Sequence, residues 1–211
     1  MSGHARIAYP ILWSRAILRT RAYYSIAELI HQFKAHVWSI IEYYTPCVYH
    51  AGITLLRKLD IVQERFLDAL DISEEEALIC HAMAPLSTRR DIAILGLLHK
   101  CNLGLAHRSL CELFYRDPHP PRRNTTLFPP LHERRLFDEH VFSNFPSLFH
   151  NSIFAQIRIY NLLSPAIANH DNVHEFQSAL VAVVRHRCSV GHANWQTCLS
   201  SRSVGHVYSI A

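Results

Sequence analysis

Glycine is scarce in this chain, with six among 211 residues. The long apolar-periodic segments also lack the turn signals that an all-β protein needs every ten residues or so. Helix is therefore the default reading. No apolar run approaches the ~20 residues required to cross a bilayer, which excludes a membrane-spanning segment and with it a membrane partner. The six cysteines, Cys47, Cys80, Cys101, Cys111, Cys188 and Cys198, form no CxxC pair, and no secretory signal precedes them. A reduced compartment, cytoplasmic or nuclear, is the simplest inference. Catalytic signatures are missing too: there is no nucleophile elbow, no glycine-rich phosphate loop and no Asp-Asp pair of the kind two-metal phosphoryl transfer commonly uses. No catalytic residue and no cofactor is expected.

What is present is ordinary globular material. With 49% hydrophobic and 18% charged residues the chain can bury a real core, as one large domain or two small ones. The net charge of +4 is modest, but Lys34, Lys58 and Lys100 are the only lysines and every other cation is an arginine. The planar guanidinium fork suits phosphate and carboxylate, so a polyanion partner is allowed without being demanded. Arg6, Arg15, Arg19 and Arg21 precede the first acidic residue, Glu28. That bias weakly resembles a transit peptide, and a fragment cut from a longer chain would look the same.

Periodicity predicts a mainly α protein, an irregular multi-helix bundle with a long proline-rich loop. Tyr24, Ala27, Ile30, Phe33, Val37, Ile40, Ile41 and Tyr44 make one amphipathic stripe that Pro46 ends. A second stripe, Leu55, Leu59, Val62, Phe66 and Leu70, follows Gly52, and Ser73 with Glu76 forms a capping box for a short third helix. Ser87 can cap a fourth helix with Asp91 in its first turn and an almost wholly apolar body, the most buried of all; Gly104 is its C-terminal cap. Leu110 to Phe114 suggest one short helix more. Residues 117–132 hold five prolines, too many for a regular element. Leu136, Phe137, Val141 and Phe142 stay open between strand and helix. Ile153 to Leu163 is a helical stripe ended by Pro165, and Asn172 with Glu175 caps a last helix, Val173 to Val184. The expected organisation is an extension at 1–22, a helical domain at 23–116, the proline-rich linker, a helical region at 133–187, and a polar tail at 188–211 anchored by Trp195.

Sixteen histidines invite a metal reading. The best set, Cys188, His192, Cys198 and His206, matches no zinc-site spacing, so no metal is expected and a polar, partly mobile tail is the better account. His81 beside Cys80 and His99 near Cys101 read as helix-surface histidines and buried thiols. Asp138 with Glu139 reads as a solvated face. Three arginine doublets, Arg89 with Arg90, Arg122 with Arg123 and Arg134 with Arg135, are the candidate nucleic-acid contacts, since each guanidinium can neutralise a phosphate. The alternative is salt bridging to Glu74, Glu75, Asp91 or Glu133. Tyr43, Tyr44 and Tyr49 could stack bases, but their helical neighbours make them core or rim aromatics first.

Three segments occur in an order that resembles one family. LIHQFKAHVWSIIEYYTPCVYHAGITLLRKLDIVQERFLDAL, Leu29 to Leu70, is similar to the two helices that follow the polymerase core of non-LTR retrotransposon reverse transcriptases. APLSTRRDIAILGLLHK, Ala84 to Lys100, resembles that family's next helix. NSIFAQIRIYNLLSPAIANHDNVHEFQSAL, Asn151 to Leu180, resembles its closing pattern of a helix ending in Tyr-Asn, a proline turn and a capped helix around a Phe. Ser164-Pro165 stands where Leu-Pro is more usual, and the tail supplies no zinc knuckle. The family's polymerase aspartates and endonuclease lie upstream of this segment and are absent, so the resemblance implies a non-catalytic, thumb-like or post-thumb module. The partners it implies are RNA or DNA and the rest of a retroelement polyprotein. A helical protein-interaction scaffold and a functionless coding remnant are the alternatives.

Overall fold

The computed structural model describes residues 3–118, 132–138 and 152–203. Over these the protein is mainly α. Most of the linker and Val141 and Phe142 lie outside them. Helix α1 (Gly3–Arg19) is followed by α2 (Ile26–Phe33), a π-helical turn (Lys34–Trp38) and α3 (Ser39–Tyr43), which run on as one rod. Ser25 starts the rod with a full capping box, its side chain accepting from the Glu28 N–H while the Glu28 carboxylate accepts from Ser25. In the π turn the Ser39 N–H reaches back to Lys34 O, and the extra residue lets both Val37 and Trp38 face inward. Pro46 does not simply end this segment. It occupies the first turn of α4 (Thr45–Val48), where its missing N–H costs nothing.

Helix α5 (Ile53–Leu70) buries Leu56, Leu59, Val62, Phe66 and Leu67; Leu55, expected inside, is exposed. Leu59, Val62 and Phe66 are buried as expected, and the inward face is wider than the apolar stripe because Gln63 also faces inward, where it accepts from Trp38 Nε1 at 2.8 Å and donates to Ala84 O at 3.1 Å. Ser73 caps α6 (Glu74–His81), accepting from the Glu76 N–H at 3.1 Å. Helix α7 (Leu86–Asn102) begins two residues before the expected Asp91 turn, with Pro85 at its N-cap. Ser87 is thus inside the helix and caps nothing. Gly104 follows α7 at φ +72°, the left-handed position a glycine accepts freely.

Beyond α8 (Arg108–Leu113) a single antiparallel bridge joins Arg116 to Leu136. Asn161 imitates a neighbouring strand there, its amide donating to Leu136 O and accepting from the Leu136 N–H, each at 2.8 Å. A 3-10 turn (Ile153–Ala155) leads into α9 (Gln156–Asn161). Pro165 opens α10 (Pro165–Ala168), and α11 (Val173–Ser189) runs five residues past the expected Val184. Two 3-10 turns, Trp195–Thr197 and Ser201–Ser203, close the described chain. In the described part of the expected polar tail, Trp195, Leu199, Ser200 and Ser201 are buried.

Two apolar cores result. One gathers Ile17 of α1, Leu29 and Phe33 of α2, Val37 and Trp38 of the π turn, Phe66 of α5 and Met83 just past α6. The other gathers Leu95, Leu98, Tyr160, Phe176, Leu180, Val184 and Trp195 from α7, α9, α11 and the last turns. Leu86 of α7 belongs to the first and Ile92 onward to the second, so α7 is the wall that both share. It also packs on α3, α4, α5, α8, α9 and α11. Gly96 brings α7 and α11 close: a Cβ there would meet Gln177 Nε2 at 2.4 Å. Since the obstacle is the end of a flexible side chain, Gly96→Ala should change stability by less than about 1 kcal/mol. Phe176→Ala, which empties a fully buried site, should cost roughly 3–5 kcal/mol. Urea denaturation of the two variants checks both values.

Candidate nucleic-acid interface and the buried polar network

The arginine doublets occupy very different environments. Arg89 lies over the Trp38 ring, its Cζ 4.0 Å from the centroid, and pairs with Glu42 on the other side. Lys34, 5.5 Å from the same ring, donates to His81 O, and desolvation together with the Arg89 charge lowers its pKa. Arg90 points elsewhere, into a bidentate fork with Asp60 at 2.7 and 2.9 Å, and only 5% of its side chain is exposed. Arg134 clamps His170 O at 2.6 Å and the Asp171 carboxylate, whose pKa it lowers. Arg135 is half-buried. Arg122 and Arg123 lie outside the described residues. The salt-bridge alternative therefore describes Arg89, Arg90 and Arg134, with Glu42, Asp60 and Asp171 in place of the acids expected from sequence. Among the tyrosines, Tyr43 is exposed and packs edge-on to Tyr44, whereas Tyr49 is 1% exposed.

Tyr49 belongs to a network that sequence reasoning missed. Its hydroxyl donates to Asp91 Oδ1 at 2.9 Å, and the Gln156 amide donates to the Tyr49 oxygen, to Asp91 Oδ1 and to Leu199 O at 2.7, 2.9 and 3.2 Å. Four separate segments meet at one buried carboxylate. Desolvation pushes the Asp91 pKa up to about 7, against the opposing pull of Tyr49, Arg90 and Arg202. Desolvation and the Asp91 charge push the Tyr49 hydroxyl up as well. Arg202 donates to Tyr49 O and stands 5.0 Å from its ring. A cavity of about 420 Å³ opens beside the network, lined by Asp60, Arg90, Asp91, Ser200 and Arg202 among others.

A second polar cluster sits two turns along α7. His99, expected on the surface, is 0% exposed. Its Nε2 contacts His170 O at 2.8 Å, and because a carbonyl only accepts, that nitrogen carries the proton. Nδ1 then accepts from the Tyr160 hydroxyl at 2.9 Å, and Phe176 stacks on the ring at 4.0 Å. His132 donates through Nε2 to Tyr160 O at 2.8 Å. Burial lowers the pKa of both histidines, which keeps them neutral. The thiols divide: Cys101 and Cys188 are buried, and Cys80, expected inside, is exposed because it lies on the outer side of α6. Burial and the neighbouring Cys111 push Cys101 up to about 11. Among the described residues no group of three or more His, Cys, Asp or Glu is placed to hold a metal; His206 lies outside them. Asp138 is not a bare solvated charge, since it pairs with Arg158 at 3.4 Å; Glu139 lies outside the described residues.

Comparison with protein-family models, with curated proteins and with solved structures finds no match to this chain.

The buried network fixes a pH dependence. The folded protein holds the Asp91 proton up to about pH 7, whereas an unfolded aspartate releases it near pH ~4. The folded state therefore binds more protons across that interval, and the Asp91 contribution to stability falls as pH rises through it. His99 and His132 act in the opposite direction, adding stability as pH rises through the ordinary histidine value of about 6.5. Asp91→Asn isolates the first effect: relative to wild type it should gain on the order of a few kcal/mol between about pH 4 and pH 8. A constant offset in urea unfolding over that range would mean that Asp91 titrates as in an unfolded chain. Removing the buried fork partner in Arg90→Ala should cost roughly 3–5 kcal/mol, seen as a lower urea midpoint.

Proposed function

We propose that this chain is a non-catalytic helical module that binds nucleic acid through its phosphates, equivalent to the region following the polymerase core of a non-LTR retrotransposon reverse transcriptase. The observation that carries this reading is where the family-like segments fall. Leu29 to Leu70 forms α2, the π turn and α3 to α5; Ala84 to Lys100 forms most of α7; Asn151 to Leu180 includes α9, α10 and the first half of α11. These are the elements that build both cores. The residues that carry the likeness are also those that lock the packing: Tyr160 and Asn161 bond His99 and Leu136, and Phe176 covers His99. Asp91, His99 and His132 are each hydrogen-bonded to buried partners inside the fold, which supports a structural rather than a catalytic use of them. In this reading Arg89, Arg90 and Arg134 shape the module, and other cations meet the phosphates.

A protein-interaction scaffold is the second reading, and one patch favours it. Leu105 between α7 and α8, and Leu113 and Tyr115 at the end of α8, are exposed, and aromatic and aliphatic side chains on the outside suit a protein partner. The two readings separate in a titration of the folded chain against labelled single-stranded RNA and duplex DNA at two salt concentrations. Nucleic-acid binding should weaken steeply with salt, because each neutralised phosphate releases a counterion. A well-folded chain that binds neither at low salt, while retaining a protein partner after nuclease treatment, would remove the first reading in favour of the second.

A further inference from the structure

Helix α1 presents a face that, among the described residues, only His36 touches. Pro10, Ser14 and Ile17 are buried against the first core, whereas Tyr9, Leu12, Trp13, Arg15, Ala16 and Arg19 are exposed. At 3.6 residues per turn, Arg15 and Arg19 lie one above the other along one edge of that face, about 6 Å apart along the axis. Tyr9 and Trp13 lie along the opposite edge, with Leu12 and Ala16 between the two rows. The rings are held in place: Tyr9 meets Trp13 edge-on at 6.2 Å, and His36 from the π turn stacks on Trp13 at 5.0 Å and 14°. Past the end of the helix the exposed Arg21, Tyr23 and Tyr24 continue the mixture.

The guanidinium groups on this face have no ion-pair partner among the described residues. No acidic residue occurs before Glu28, and that carboxylate is occupied by Ser25. The guanidinium groups of Arg15, Arg19 and Arg21 enter no ion pair or hydrogen bond among the described residues. Arg89, Arg90 and Arg134 are all paired. A row of free guanidinium groups beside a row of fixed rings matches a strand whose phosphates follow the cations and whose unpaired bases stack on the aromatics. A duplex hides its base faces. A lipid surface calls for a continuous apolar face, and between the two rows this one offers only Leu12 and Ala16.

We propose that the exposed face of α1 holds a single-stranded nucleic acid, with Arg15, Arg19 and Arg21 on its phosphates and Tyr9 and Trp13 against its bases. This rests on the nucleic-acid reading above and adds the surface and the strandedness. The test is a fluorescence-anisotropy titration of the whole chain with a labelled single-stranded RNA and a duplex of the same sequence over a range of salt. Arg15→Gln with Arg19→Gln should lower single-strand affinity at least about tenfold near 0.1 M salt and reduce the slope of log K against log salt by about 1.4. Lys100→Gln with Arg108→Gln removes the same charge from exposed positions on α7 and α8 and should change little. Trp13→Leu should lower affinity about fivefold or more. Circular dichroism and thermal midpoints establish that each variant is folded. Wild-type protein that binds no nucleic acid removes the function reading and this surface together. Wild-type binding that the α1 variants leave intact overturns the surface alone, as does equal loss in the Lys100 and Arg108 control or equal affinity for the duplex. Binding to phosphatidylserine vesicles that depends on Arg15 and Arg19, without such dependence for RNA, overturns it in favour of a membrane.

Discussion

The buried carboxylate of Asp91 is the constraint on which the rest of the structure depends. A carboxyl group taken out of water costs several kcal/mol unless its oxygens are bonded. Here the partners come from far along the chain: Tyr49 lies 42 positions away and Gln156 lies 65. The α4 turn, α9 and the closing 3-10 turns must therefore all reach α7 at one level. Apolar packing alone would let these segments slide against one another. A carboxylate with two directional donors fixes their register, because a shift of one residue strands a buried polar group.

The same logic repeats along α7. Thr88 donates to Gln196 O at 2.8 Å, Arg90 forks onto Asp60, His99 joins Tyr160 to His170, and Asn102 donates to Arg134 O at 2.6 Å while accepting from Arg116. Each of these side chains is buried, and each ties α7 to a different segment. The helix is a polar spine set into two apolar cores. That arrangement makes the histidines structural. His99 is fixed as one neutral tautomer by a carbonyl on one side and a hydroxyl on the other, so protonating it would oblige the Tyr160 oxygen to abandon its donor role.

The helical class and most helix positions were legible because they rest on apolar periodicity and local capping, and Ser73, Asn172 and Gly104 all act within a few residues of themselves. The polar spine was not legible, because every bond in it is long-range. Asp91 is expected in the first turn of a helix capped by Ser87; it is the sixth residue of α7 and faces inward. The available signal was an ionisable residue inside a run apolar on nearly all sides, which has no solvent to face and must have partners. His99 carried the same signal. The tail read as polar from its composition, yet Ser200 and Ser201 are buried against the carboxylate network. The wider inward face of α5 has a related origin, since the inward Gln63 is invisible to a search for apolar residues.

The arginines show how spacing governs what a cation can do. Doublets draw attention in a sequence because the charges are adjacent, but adjacent residues on a helix project about 100° apart. Arg89 and Arg90 accordingly address different neighbours, a tryptophan with a glutamate on one side and an aspartate on another. Two charges that diverge in this way cannot follow one line of phosphates. Residues four apart can, because they share an edge of the helix. Whether a guanidinium stays available then depends on what faces it. The segments around α7 supply Glu42 and Asp60, whereas the acid-free stretch that contains α1 supplies nothing. Among the described residues, arginines inconspicuous as a motif thus keep their side chains unpaired, whereas Arg89, Arg90 and Arg134 are consumed in holding the fold together.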